Sequence, residues 1–124
     1  MSQRIPIIKI GENLIVTFIS DIDDLTALRL QKELTEKIHE ENRSGMNVSG
    51  VLIDLTILDI VDSFLGRLIS NIAQSATTMN ANTVVVGIRP AIAITLVELG
   101  LELKGAYTAL NVEHGIEILN DLKA

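Results

Sequence analysis

Short, unbroken apolar runs alternate along the chain with longer stretches in which apolar residues recur every three or four positions. Ile5 to Ile10 and Leu14 to Phe18 are two such runs, separated by Gly11-Glu12-Asn13. Gly and Asn are turn residues, so the pair reads as a β-hairpin. Ser20-Asp21-Ile22-Asp23-Asp24 then offers capping side chains and negative charge for a helix start. Ala27, Leu30, Leu34 and Ile38 follow at helical spacing, with Glu33 and Lys37 four apart on the wet side. The pattern predicts that this helix fades near Glu41-Asn42.

Asn42 to Gly50 is polar, holds two glycines and reads as a loop too short to link domains. Val51 to Thr56 is an apolar run that suits a strand covered on both faces. Asp62-Ser63 supplies helix-starting chemistry ahead of Leu65, Leu68, Ile69, Ile72, Ala76 and Met79. Thr83 to Ile88 is a second buried strand, and Pro90 suits the first position of a helix over Ala91 to Leu99 that stops at Gly100. Ala106 to Leu110 predicts a last short strand, and Val112, Ile116, Leu119 and Leu122 give a closing helix its apolar stripe. The order ββαβαβα(β)α implies an α/β fold. Its mixed sheet has parallel core strands after the N-terminal β-hairpin, with four helices packed on it through right-handed crossovers.

At 124 residues and 48% hydrophobic, the chain fits one domain over residues 1–124 with a core of its own. Its apolar runs are far short of a membrane span, and the N-terminus lacks signal-peptide organisation, which favours a cytoplasmic protein. The absence of cysteine excludes disulfides, thiol catalysis and thiolate metal sites. A formal charge of −6, with only Phe18, Phe64 and Tyr107 able to stack on bases, argues against a nucleic-acid partner.

Enzyme motifs are missing: there is no phosphate-binding glycine loop of either common type and no G-x-S-x-G elbow. His39, at a polar helix end, and His114, in the first turn of the last helix, read as surface or capping residues. Asp21, Asp23 and Asp24 could bind a divalent cation and, with Asp54 at a strand end, suggest an aspartate-phosphorylated receiver. Gly87-Ile88-Arg89-Pro90 lacks the lysine that a receiver needs, and capping explains the aspartates more simply. Ser63 carries more information. A hydroxyl at a helix start is exposed near backbone N–H groups that favour an anion, and Asp59 and Asp62 lie close in sequence. From the residues alone, it is either a phosphate site or an ordinary N-cap.

Asp54-Leu55-Thr56, the spacer and Asp62-Ser63-Phe64 resemble the strand–loop–helix phosphorylation segment of the STAS-domain family, the fold of bacterial anti-anti-sigma factors. The likeness continues through Arg4 to Lys9, Asp24 to Leu28, Ile53 to Thr56, Val61 to Phe64, Gly87 to Ala91 and Thr95 to Gly100, and is narrowest toward the small STAS scaffolds of the stressosome. Asn42 to Gly50 departs from the family in looking longer, a cheap change for the fold.

The resemblance implies a non-catalytic signalling scaffold without cofactor or metal. It would assemble with RsbR-like STAS paralogues and sequester an RsbT-like serine/threonine kinase. An RsbX-like phosphatase would reset it. Ser63 would be the phosphoacceptor, and Asp59, Asp62, Ser63, Phe64 and Arg67 would form the partner-binding surface. Thr95 matches a second phosphorylated threonine of the RsbR-like relatives and reads as mainly structural. A stand-alone anti-anti-sigma factor would use the same fold and serine.

Overall fold

The computed structural model describes residues 5–19, 22–58, 62–98, 103 and 105–123. Within them the chain forms β1 (Ile7–Ile10), β2 (Asn13–Thr17), α1 (Asp24–Arg43), β3 (Gly50–Asp54), α2 (Ser63–Thr78), β4 (Asn82–Val86), α3 (Pro90–Glu98), β5 (Ala106–Ala109) and α4 (Val112–Lys123). One five-stranded sheet runs in the order β1-β2-β3-β4-β5. β1 and β2 are antiparallel, and the remaining neighbours are parallel. This is the mixed α/β arrangement expected.

Ile10 pairs with Asn13, so the hairpin turn holds only Gly11 and Glu12, and Gly11 takes a φ of 61°. A positive φ at a turn position matches the right-handed twist of the flanking strands. Asn13, expected in the turn, is the buried first residue of β2. It must pair there, because β2 is already flanked by β3 at that level: Asn13 is opposite Gly50. β4 ends at Val86 instead of Ile88, since Gly87 turns to φ 79°.

Parallel strands that are neighbours in both sequence and space place their right-handed crossovers on one face. Leu14, Val16, Val51, Ile53 and Val85 point that way, into a core with Leu30, Leu34 and Ile38 of α1, Leu68, Ile69 and Ile72 of α2, and Ile92 and Leu96 of α3. The alternate residues Ile15, Leu52, Val84 and Val86 meet Leu119 of α4 on the opposite face. β3 and β4 are therefore buried on both sides, which is why their sequences read as continuous apolar runs.

α4 lies close because Gly115 has no side chain. A Cβ there would sit 2.8 Å from Val86 Cγ1 and 2.9 Å from Leu52 Cδ1. The C-terminal end of α4 is tied by an ion pair from Lys123 to Glu12 in the hairpin turn. The Glu12 carbonyl accepts hydrogen bonds from the N–H groups of Ser49 (2.8 Å) and Gly50 (3.3 Å). The loop before β3 is anchored as well by Val48, which is buried and donates its N–H to Asn42 Oδ1 at 3.0 Å. Leu122, expected in the α4 stripe, remains 37% exposed.

Two predictions follow from these contacts. Gly115→Val should cost about 2 kcal/mol through overpacking, despite the relief of a helical glycine. Thermal unfolding would show this as a fall in Tm of roughly 6–10 °C, and an unchanged Tm would mean that α4 can lift freely. Lys123 lowers the pKa of Glu12, chiefly through their side-chain hydrogen bond, with Asn47 and Lys9 contributing in the same direction. A carboxyl depressed in the folded state stabilises above its unfolded pKa and loses that contribution as pH falls through the folded value. Glu12→Gln should therefore flatten the decline of Tm between about pH 5 and about pH 3; parallel wild-type and variant curves would rule this out.

Candidate functional site

β3 ends at Asp54, whose Oδ1 accepts hydrogen bonds from the N–H of Thr56 (2.9 Å) and from its hydroxyl. This carboxylate is thus engaged in the turn that leaves the strand, an arrangement that favours a local cap over a receiver-type phosphoacceptor. Leu55 and Leu58 are buried, and the Leu58 N–H donates to Leu55 O at 3.0 Å. Asp59, expected beside Ser63, lies outside the described residues, as does Asp21.

α2 then starts with a division of labour that differs from the plain-cap expectation. Asp62 is the N-cap, with extended backbone (φ −94°, ψ 179°), and its Oδ1 accepts from the Leu65 N–H at 2.9 Å. Ser63 is the first helical residue, half-buried, and its hydroxyl is not the capping group. A carboxylate three residues before a free N–H takes the cap, because a charged acceptor makes the stronger bond to the helix end. The Ser63 side chain is left for other chemistry.

Phe64 is half-buried against the core formed by α1 and α2, whereas Arg67, one turn further on, is exposed. Together with Leu68 and Asn71 they form one wall of a groove of about 430 Å³, whose other wall is Asp24, Ala27, Leu28 and Gln31 of α1. The structure thus brings Asp62, Ser63, Phe64 and Arg67 to one end of α2 and adds α1 residues that the sequence reading did not assign. Leu25 and Leu28 carried the signal. They fall off the Ala27–Leu30–Leu34–Ile38 stripe and are 58% and 65% exposed.

The remaining candidates separate. Asp23 caps α1, accepting from the Thr26 N–H at 2.8 Å, and the hydrogen bonds from Thr26 hold its carboxyl below the usual aspartate value. Asp24 is part of the groove instead. Among the described residues, no group of three or more His, Asp or Glu side chains is placed to hold a metal ion. His39 is exposed on α1, and the exposed His114 donates its backbone N–H to Asn111 Oδ1 at the start of α4. Thr95 is exposed on α3 and donates its hydroxyl to Ala91 O at 3.0 Å. No helix among the described residues is long and apolar enough to cross a membrane.

Comparison with known proteins agrees with this geometry. The model of the STAS domain family matches residues 4–113. The RsbT co-antagonist protein RsbRA of Bacillus subtilis (strain 168) is 30% identical over 113 residues, which are 90% of this chain and 39% of RsbRA. The chain therefore spans about two-fifths of that relative's length. A serine-to-glutamate variant of Moorella thermoacetica RsbS is 34% identical, with 98% of each chain covered and a TM-score of 0.80. A chain from the molecular architecture of the stressosome, described as a signal integration and transduction hub, is 35% identical over 95% of this chain and 98% of its own, with a TM-score of 0.78. With its five-stranded sheet, its α2 start and a family match over most of its length, this chain belongs to the STAS-domain family and resembles RsbS from end to end.

Proposed function

We propose that this chain is a non-catalytic scaffold of a stressosome-like assembly. It sequesters an RsbT-like serine/threonine kinase and releases it when Ser63 is phosphorylated. The observation that carries this reading is the position of Ser63: first residue of α2, uncommitted to capping, and adjacent in sequence to the Phe64–Arg67 wall of the groove. The likeness to RsbS and to RsbRA, a co-antagonist of RsbT, supports the choice of a kinase as partner and of RsbR-like paralogues as co-assemblers.

Phosphorylation adds about −1.5 to −2 charge. At the first helical position the N-terminal partial charge of α2 favours that anion, while the Asp62 carboxylate opposes it. Because the Asp62–Leu65 cap bond does not involve the serine, the helix keeps its start when the phosphate arrives. The change is therefore in the surface offered to the partner. An anion there repels acidic groups or imposes a desolvation cost across the interface. An RsbX-like phosphatase would restore the neutral surface. Thr95, with its hydroxyl bonded back into α3, is a structural residue in this scheme.

Incubation with an RsbT-like kinase, ATP and Mg²⁺ should place stoichiometric, acid-stable phosphate on Ser63 and none on Ser63→Ala. Ser63→Ala should retain the kinase, and Ser63→Asp should bind it roughly 30- to 150-fold more weakly, a loss of about 2–3 kcal/mol. Both variants should melt near the wild type, whereas Asp62→Ala should lose about 1 kcal/mol with its cap. Equal kinase affinity for wild type and Ser63→Asp would overturn the release mechanism. Size-exclusion mass with an RsbR-like partner separates the scaffold, which forms very large particles, from a stand-alone anti-anti-sigma factor, which forms small complexes.

A further inference from the structure

Leu55 and Thr56, shortly before Ser63 in sequence, are gripped from the neighbouring β4–α3 connection. β3 and β4 run in register to Asp54 opposite Val86, and the Leu55 N–H still donates to Val86 O at 3.0 Å. Beyond that point Gly87 lies directly against Thr56. A Cβ on Gly87 would sit 2.6 Å from the Thr56 backbone nitrogen and 2.7 Å from its Cα. Those are main-chain atoms that cannot swing aside, and φ 79° at Gly87 independently demands glycine. Two residues later, Arg89 Nη2 donates to the Thr56 carbonyl oxygen at 3.2 Å, across 33 residues of sequence. Arg89 is itself held at the start of α3, since its carbonyl accepts the Ala93 N–H at 3.0 Å.

Every polar group of Thr56 is therefore engaged. Its N–H and hydroxyl go to Asp54, and its carbonyl is held by Arg89. Leu58 is buried just downstream, and Asp62 is fixed by its bond from Leu65. The described residues on either side of positions 59–61 are thus each held, Thr56 by Asp54 and by Arg89 of another loop, and Asp62 by α2 itself.

We propose that Gly87 and Arg89 are positioning residues for phosphotransfer to Ser63, acting through Thr56 to set where the serine is presented. This rests on the reading of Ser63 as phosphoacceptor. In the transfer, Ser63 Oγ bonds to the γ-phosphorus of kinase-bound ATP, the bond from that phosphorus to the β,γ-bridging oxygen breaks, and the hydroxyl proton passes to a base on the kinase. This chain contributes geometry alone, and a misplacement of about 1 Å can cost on the order of 100-fold in rate.

Steady-state kinetics with an RsbT-like kinase, using wild type, Arg89→Ala, Arg89→Lys and Gly87→Ala as substrates, test this alongside amide hydrogen exchange at Thr56 and Leu58. Arg89→Ala should lower kcat on the order of 10-fold with little change in KM, because the α1–α2 groove is untouched. Exchange at Leu58 should quicken. Arg89→Lys should recover much of the rate, since an ammonium can donate to the same carbonyl. Gly87→Ala should lose on the order of 100-fold; if it does not fold, the Arg89 pair decides alone. Wild-type kcat and exchange in Arg89→Ala would overturn the proposal, as would an effect on KM alone, which would make Arg89 a docking residue. Absence of phosphate on wild-type Ser63 would overturn the functional reading, and with it the presentation role. The exchange data would still decide whether the clamp exists.

Discussion

The handedness of the crossovers governs this molecule. Four strands, β2 to β5, lie side by side in chain order and parallel, so each right-handed connection returns over the same face. α1, α2 and α3 have no alternative placement, and the first two are brought into contact with each other. That crowding creates both the core that Leu30, Leu34, Leu68 and Ile72 share and the groove at its outer end. The opposite face would be bare if the chain ended at β5. α4 covers it, held close by Gly115 and tied at its end to Glu12.

All the loops that follow parallel strands emerge at the same end of the sheet, where ligands and partners of α/β folds are usually met. The β3–α2 and β4–α3 connections meet there because their strands are neighbours, and Gly87 permits an approach to Thr56 that no larger residue would. A rigid platform of this kind suits a signalling surface read as a folded shape. On the proposed reading, a phosphate on Ser63 would change charge at the surface while the cap on Asp62 and the buried Leu55 and Leu58 stay as they are.

Two carboxylates show how far spacing alone can be trusted. Asp54 lies two residues before Thr56 and Asp62 directly before Ser63, and from sequence either could be a reactive group, a cap or a surface charge. The structure gives each a local hydrogen-bonding task, Asp54 to Thr56 and Asp62 to Leu65. Ser63, which as a sequence feature was as much a cap as a phosphate site, emerges with its cap role taken by its neighbour.

The elements themselves were legible because their signals are local. The two-sided apolar runs of β3 and β4, the i, i+3, i+4 stripe of α1 and the Pro90 start of α3 depend only on backbone period and on fixed φ. Parallel pairing of the core strands followed from the alternation of strands and helices, the resemblance carried the family, and the strand order came only with the structure. Less local features were not readable. Leu28 and Gln31 join Phe64 and Arg67 across 36 positions, and Arg89 reaches Thr56 across 33. Val48 looked like one residue of a polar loop, yet it is buried, with its N–H donated to Asn42 Oδ1. The sequence by itself determined which segments are helix or strand and which faces are apolar, since those follow from nearest-neighbour chemistry. Only the tertiary structure decided which side chains share a site, because that depends on how close two backbones approach once the sheet has set their register.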